Sequence, residues 1–121
     1  MSHVVNLEVK IKSPAILAEV ARGKGLEVRE RETVRFYSST RTGMSVWLPG
    51  WKYPVVVDEE GSVHYDNYGG RWGDIRELHR LVQDYAVEVV KREAMAEGEQ
   101  VWESVEEDGT VVLRVSTGGV W

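Results

Sequence analysis

Residues 66–98 read DNYGGRWGDIRELHRLVQDYAVEVVKREAMAEG, an aromatic, glycine-rich loop that runs straight into a long amphipathic pattern. From Asp74 onward Ile75, Leu78, Val82, Tyr85, Ala86, Val89 and Ala96 fall on one side of a repeat of about 3.6 residues. Arg76, Arg80, Asp84, Glu88 and Lys91 fall on the other. The spacing predicts a long helix with one polar face. Asp74 with Glu77 three positions later is a capping-box pattern, the Asp accepting from free N–H groups of the first turn and the Glu reaching back. Gly98 suits the left-handed turn that closes a helix, so the element is expected to end near Glu97. At about 1.5 Å of rise per residue it is on the order of 35 Å long, enough to cross a small sheet.

In the loop before it, Gly69 and Gly70 lie between Tyr68 and Trp72. A glycine pair lets the backbone turn through positive φ where bulkier residues do not. Two readings stand for the aromatic residues. They tuck under the helix start as a satellite core with their polar tips bonded, or they form an exposed surface for a partner. On the second reading the partner-binding residues are Trp51, Tyr53, Tyr68, Arg71 and Trp72.

Towards the N-terminus, Val5, Leu7, Val9 and Ile11 alternate with Asn6, Glu8, Lys10 and Lys12, the period-two pattern of a strand with one buried face. Ser13 offers an N-cap and Pro14 suits a first helical position, predicting a short helix from Pro14 to about Lys24. Leu26 to Tyr37 reads as two short strands, or as one ribbon with a turn near Arg31. Ser38 to Gly43 is expected as a polar loop, Met44 to Leu48 as a short strand, and Pro49 to Pro54 as a connection. Val55 to Val57 and Val63 to Tyr65 read as a hairpin around Glu59 to Gly61. Beyond the long helix, Val101 to Val105 and Val111 to Val115 flank the Asp108-Gly109 hairpin signal. The expected fold is α+β: an antiparallel sheet with two helices packed on one face, one short and N-terminal, one long and central. Residues 1–116 are expected as a single domain and 117–121 as a flexible tail whose Trp121 could dock on the sheet or on another copy.

A chain of 121 residues can bury one sizeable core, and no apolar run approaches the roughly 20 residues that span a bilayer. Cysteine is absent, so disulfides, thiolate zinc sites and cysteine nucleophiles are excluded. A cytoplasmic location and no membrane association are the expectations. Only two Asn and two Gln occur, the bias found where heat-labile amides are avoided. The net charge of −5 is uneven: Met1 to Pro54 carries nine Lys/Arg against five Asp/Glu, and Val55 to Trp121 six against fifteen.

Motifs for chemistry are sparse. His3, His64 and His79 share no ligand spacing, and neither HExxH nor GxxxxGK[ST] is present. His64 and Asp66, two apart on one strand, could form an acid/base pair, and a surface hydrogen bond accounts for them as well. No catalytic residue, metal or cofactor is expected. A nucleic-acid reading has Trp47, Trp51, Tyr53, Tyr68 and Trp72 to stack bases and Arg35, Arg41, Lys52 and Arg71 for phosphates, against an acidic overall balance.

The opening Met1-Ser2-His3, the segment YDNYGGRWGD, LVQDYAVE at Leu81 to Glu88, Ala94, Gly98 and EDGTVVLRV at Glu107 to Val115 together resemble the domain of unknown function 1257. Its relatives include the hypothetical chloroplast reading frame 35 protein and small proteins of bacteria and phages. The likeness is strongest from Tyr65 to Val115, and Arg29 to Pro54 is shorter and more divergent. The resemblance implies no reaction or catalytic set. It implies an accessory role, relatives being encoded near AAA-type ATPases. The functional expectation is therefore a small non-enzymatic accessory module with a protein partner or a second copy of itself. Single-stranded nucleic-acid binding through the aromatic loops is the alternative.

Overall fold

A computed structural model describes residues 4–98, 100–107 and 109–116. The protein is α+β, with an antiparallel sheet, one short helix and one long central helix. Its strands and helices follow in the order β1 (Val5–Lys10), α1 (Pro14–Gly23), β2 (Glu27–Arg35), β3 (Thr40–Trp47), β4 (Val55–Val57), β5 (Ser62–Tyr65), α2 (Ile75–Ala96), β6 (Gln100–Val105) and β7 (Val111–Ser116). The fold divides into two compact units, Met1–Val82 and Gln83–Trp121. The tail expected at residues 117–121, with Trp121, lies outside the described residues.

In the first unit five strands pair in the order β1-β5-β4-β3-β2, every neighbour antiparallel. That order makes β1 and β2 parallel on opposite edges, so α1 carries the chain across the whole sheet. Paired residues share a face. One face therefore holds Leu7, Val63, Val57 and Met44 in one row and Val55, Val46 and Val28 in another. Val46, Val55, Val57 and Val63 are buried there, and Leu17, Ala18 and Ala21 of α1 are buried as well. Leu26 and Leu48, in phase with Val28 and Val46, line a groove of about 270 Å³ with Leu81 of α2 and Lys24 at the end of α1. This is the helix-covered face. Leu78 and Leu81, in the first turns of α2, are almost fully buried.

The other face holds the row Asn6, His64, Val56, Ser45 and Arg29. Its cover is part of the sheet itself. A straight β2–β3 hairpin would carry Phe36 away from the β3–β4 loop by on the order of 30 Å, counting nine residues at about 3.3 Å each. Instead Phe36 and Tyr53 meet with ring centroids 5.6 Å apart, and Val34, Phe36 and Val56 form one buried cluster with Val4 and Tyr53 against it. The distal half of the hairpin folds back over the face. Two features permit the bend. Arg29 pairs with Ser45 and Glu32 with Gly43, so β2 carries one extra residue there, a β-bulge. Opposite it, a Cβ on Gly43 would lie 2.1 Å from the Val57 carbonyl oxygen, so only glycine permits this approach.

Three expectations need correction here. The region around Arg31 is not a turn between two strands; the bulge keeps β2 continuous and shifts its alternation. Thr40 to Gly43 is strand, because its backbone pairs with Glu32 to Arg35 while Thr40 and Thr42 keep their side chains exposed. The apolar side of β1 is also less buried than its alternation implies. Its register with β5 is irregular between Leu7 and Lys10, leaving Val5 and Val9 exposed at a sheet edge while Ile11 is buried.

In the second unit β6 and β7 form a separate two-stranded sheet, and Lys91 of α2 pairs with Glu103 of β6 at 3.2 Å. Along α2 the buried positions are Leu78, Leu81, Tyr85 and Ala94, whereas Ala86 and Ala96, expected inward, are exposed.

Candidate partner-binding surface

The loop between β5 and α2 is bolted from within. Asp66 is 1% exposed, and its Oδ1 accepts the Tyr68 backbone N–H at 3.2 Å, holding Tyr68 at the unusual φ of 47°. Asn67 closes the turn: its carbonyl accepts the N–H groups of Gly70 at 3.0 Å and Trp72 at 2.8 Å, while its side-chain amide donates to the Gly73 carbonyl. Gly69 and Gly70 take positive φ, as the glycine pair predicts. The β3–β4 loop is tied alongside by the Lys52 N–H, which donates to the Trp72 carbonyl at 2.9 Å.

These bonds place Trp72 at the centre of an aromatic group. Tyr68 stacks on it at 4.7 Å with 24° between planes; Tyr53 meets it edge-on at 5.7 Å, and Tyr37 lies tilted at 5.8 Å. The Lys52 ammonium sits 4.1 Å over the indole, and the Arg71 guanidinium 5.3 Å over Tyr68. A cation at 4.1 Å and a ring at 4.7 Å cannot share one face of an indole. Lys52 and Tyr68 therefore take opposite faces of the Trp72 indole, and Arg71 adds a second cation against Tyr68. Each such cation–π contact is worth about 0.5–1 kcal/mol at an exposed site, and each ring pair about as much again. The arrangement is preorganised, and it is also open: Lys52, Arg71 and Tyr37 are exposed, and Tyr53, Tyr68 and Trp72 are half-buried. Among the described residues neither Lys52 nor Arg71 has an ion pair, and Arg41 of the folded-over arm donates only to neutral oxygens of Ser39 and Thr40.

Of the five residues singled out in the sequence, Tyr53, Tyr68, Arg71 and Trp72 come together on this ledge. Trp51 lies beneath it. It is 7% exposed and edge-on to Tyr65, and its indole occupies the space where a Cβ on Gly73 would stand, 2.3 Å away. Trp51 supports the loop from inside. Tyr37 joins only because the β2–β3 arm folds back, and no local sequence signal marks it.

His64 and Asp66 do not pair. Both ring nitrogens of His64 are engaged elsewhere, Nδ1 with Asn6 Oδ1 at 2.5 Å and Nε2 with Asp58 Oδ2 at 2.7 Å, and the residue is 6% exposed. Asp66 has left the strand, which ends at Tyr65. Since a carboxylate only accepts, Nε2–H donates to Asp58, and Nδ1 lies against the side-chain amide of Asn6. Burial alone would push the Asp58 carboxyl up, but the bonds from His64 and from the Ser62 and Glu60 N–H groups outweigh it and hold the carboxyl below its ordinary range. This triad links β1, β5 and the β4–β5 turn. It has no solvent-facing nitrogen for acid/base work.

No helix among the described residues is long and apolar enough to cross a membrane. No family model matches the chain, and neither a curated protein nor a solved structure matches it.

Proposed function

We propose that this chain is a small accessory module that docks a protein partner on the ledge formed by Tyr53, Tyr68, Arg71 and Trp72, with Tyr37 and Lys52 at its edges. The observation that carries the reading is the group of stacked rings and cations, partly exposed and held in place by the bonds of Asp66, Asn67 and Lys52. Tyr, Trp and Arg dominate interface hot spots, and a preorganised patch loses little entropy on binding. Single-stranded nucleic acid is the second reading, favoured by Lys52 and Arg71, which have no ion pair among the described residues. It is weakened because both faces of the central ring are already covered, Trp72 lying between Lys52 and Tyr68.

The test is affinity capture of the tagged chain from its host extract beside a Tyr68→Ala/Trp72→Ala variant of confirmed fold. A polypeptide retained by the parent chain and lost by the variant is expected. Equal retention by both removes the ledge as the docking surface, and nuclease-sensitive material in the eluate moves the assignment to nucleic acid.

A further inference from the structure

The ledge has a bounded length and a definite charge, which limit what a partner must bring. Chained end to end, the separations of 4.1, 4.7 and 5.3 Å limit the Lys52 ammonium and Arg71 guanidinium to at most about 14 Å apart, a distance an extended segment covers in four residues at about 3.3 Å each. In an extended segment residues i, i+2 and i+4 face the same side. Resting on the docking reading above, we infer that the ledge binds an extended acidic segment of the partner, with carboxylates at i and i+4 and an apolar side chain at i+2. The two carboxylates meet Lys52 and Arg71. The apolar residue covers the outward edges of Trp72 and Tyr68, with Tyr37 alongside.

Charge complementarity selects this occupant. Lys52 and Arg71 stand on the ledge without a carboxylate partner among the described residues, and Asp66 and Asp74, in the same loop, are already committed. Asp66 is sealed beneath the loop, and Asp74 is bonded by the Arg76 guanidinium at 2.8 Å. A nucleic-acid strand would satisfy the cations, yet Tyr68 and Trp72 are half-buried against each other and Lys52, which leaves Tyr37 as the one well-exposed ring of the ledge for a base to stack on. A carboxylate segment needs no such ring.

The experiment uses the full chain and a fluorescently labelled peptide with Glu at i, Leu at i+2 and Glu at i+4 in a Gly/Ser framework, followed by anisotropy at low salt. The i+4 peptide is expected to bind about tenfold more tightly than its Gln-for-Glu counterpart, and to weaken as salt rises. Lys52→Glu and Arg71→Glu should each abolish that preference, Lys52→Arg and Arg71→Lys should retain most of it, and Lys12→Glu, an exposed change elsewhere, should leave it intact. Circular dichroism confirms the fold of each variant. Equal affinity for the Gln peptide, an equal effect of Lys12→Glu, or tighter binding of an oligo-dT of similar length overturns the inference. Repeating the capture with Lys52→Glu/Arg71→Glu separates the two levels. Partner lost with the aromatic variant but kept with the charge reversal refutes the acidic segment alone, whereas partner kept by both refutes the docking reading too.

Discussion

Asp58 shows how one side chain organises a turn and a strand edge together. Its Oδ1 accepts the N–H groups of Glu60 and Ser62, each at 2.9 Å, while Oδ2 accepts a hydrogen bond from His64 Nε2–H. Desolvation opposes the charge and these bonds favour it, with a lowered pKa as the net result. A carboxyl whose folded pKa lies below its unfolded value of about 3.9 contributes stability that is complete above that value and is lost as the pH falls through the folded one. Asp58→Asn keeps the shape and can still accept from the turn, but removes the charge. The variant should melt several degrees lower between pH 5 and 7, and the gap should close as the pH is taken below 3.8. Thermal melts across that range decide it. A gap that persists unchanged at acid pH would assign the stabilisation to packing and not to the carboxylate.

The bent β2–β3 arm is the element on which the ledge depends, and Gly43 is its most sensitive point. An added methyl would meet the Val57 carbonyl at 2.1 Å, and backbone cannot yield as a side chain can. Gly43→Ala is therefore expected to cost about 1–3 kcal/mol in denaturant unfolding and to weaken partner capture, because Phe36 and Tyr37 lose their seats on Tyr53 and Trp72. Gly23→Ala, at the end of α1 with open space around it, should be neutral or mildly stabilising. If the two variants unfolded alike, the bend would not be the constraint. The same arm separates what could be read in the sequence from what could not. The alternation at Val5 to Ile11, the Ser-Pro helix start, the hairpin around Gly61 and the amphipathic run after Asp74 all encode their elements locally, and the structure has each within a few residues. Where a bulge shifts the phase of β2 and a pairing partner supplies the reason for polar strand residues at Thr40 to Gly43, local pattern fails, since the information lies on another strand. The candidate site divides in the same way. Tyr68, Arg71 and Trp72 are adjacent in the chain and easily singled out, whereas the arrival of Tyr37 and the burial of Trp51 depend on contacts across the fold.

At the scale of the whole molecule, the two units differ in what holds them. The five-stranded sheet is covered on one face by helix and on the other by its own folded-over arm, with Val46, Val55, Val56 and Val63 almost fully buried. The second unit rests on a hairpin whose Trp102 and Val105 are 53% and 67% exposed, and a two-stranded sheet is marginal by itself in water. Gln83–Trp121 also carries nine Asp/Glu against three Lys/Arg, so like charges add to its cost of folding. Opening free energies vary along a chain according to buried contacts. Native-state hydrogen exchange should accordingly find the slowest amides in β3 and β4 and exchange faster by orders of magnitude in β6 and β7. Salt screens exposed charge over roughly 10 Å at 0.1 M, so raising ionic strength should slow exchange in the hairpin while leaving β3 and β4 nearly unchanged. Uniform protection would mean that the hairpin opens only with the whole molecule. Unequal protection indifferent to salt would keep the order of stability and remove charge repulsion as its cause.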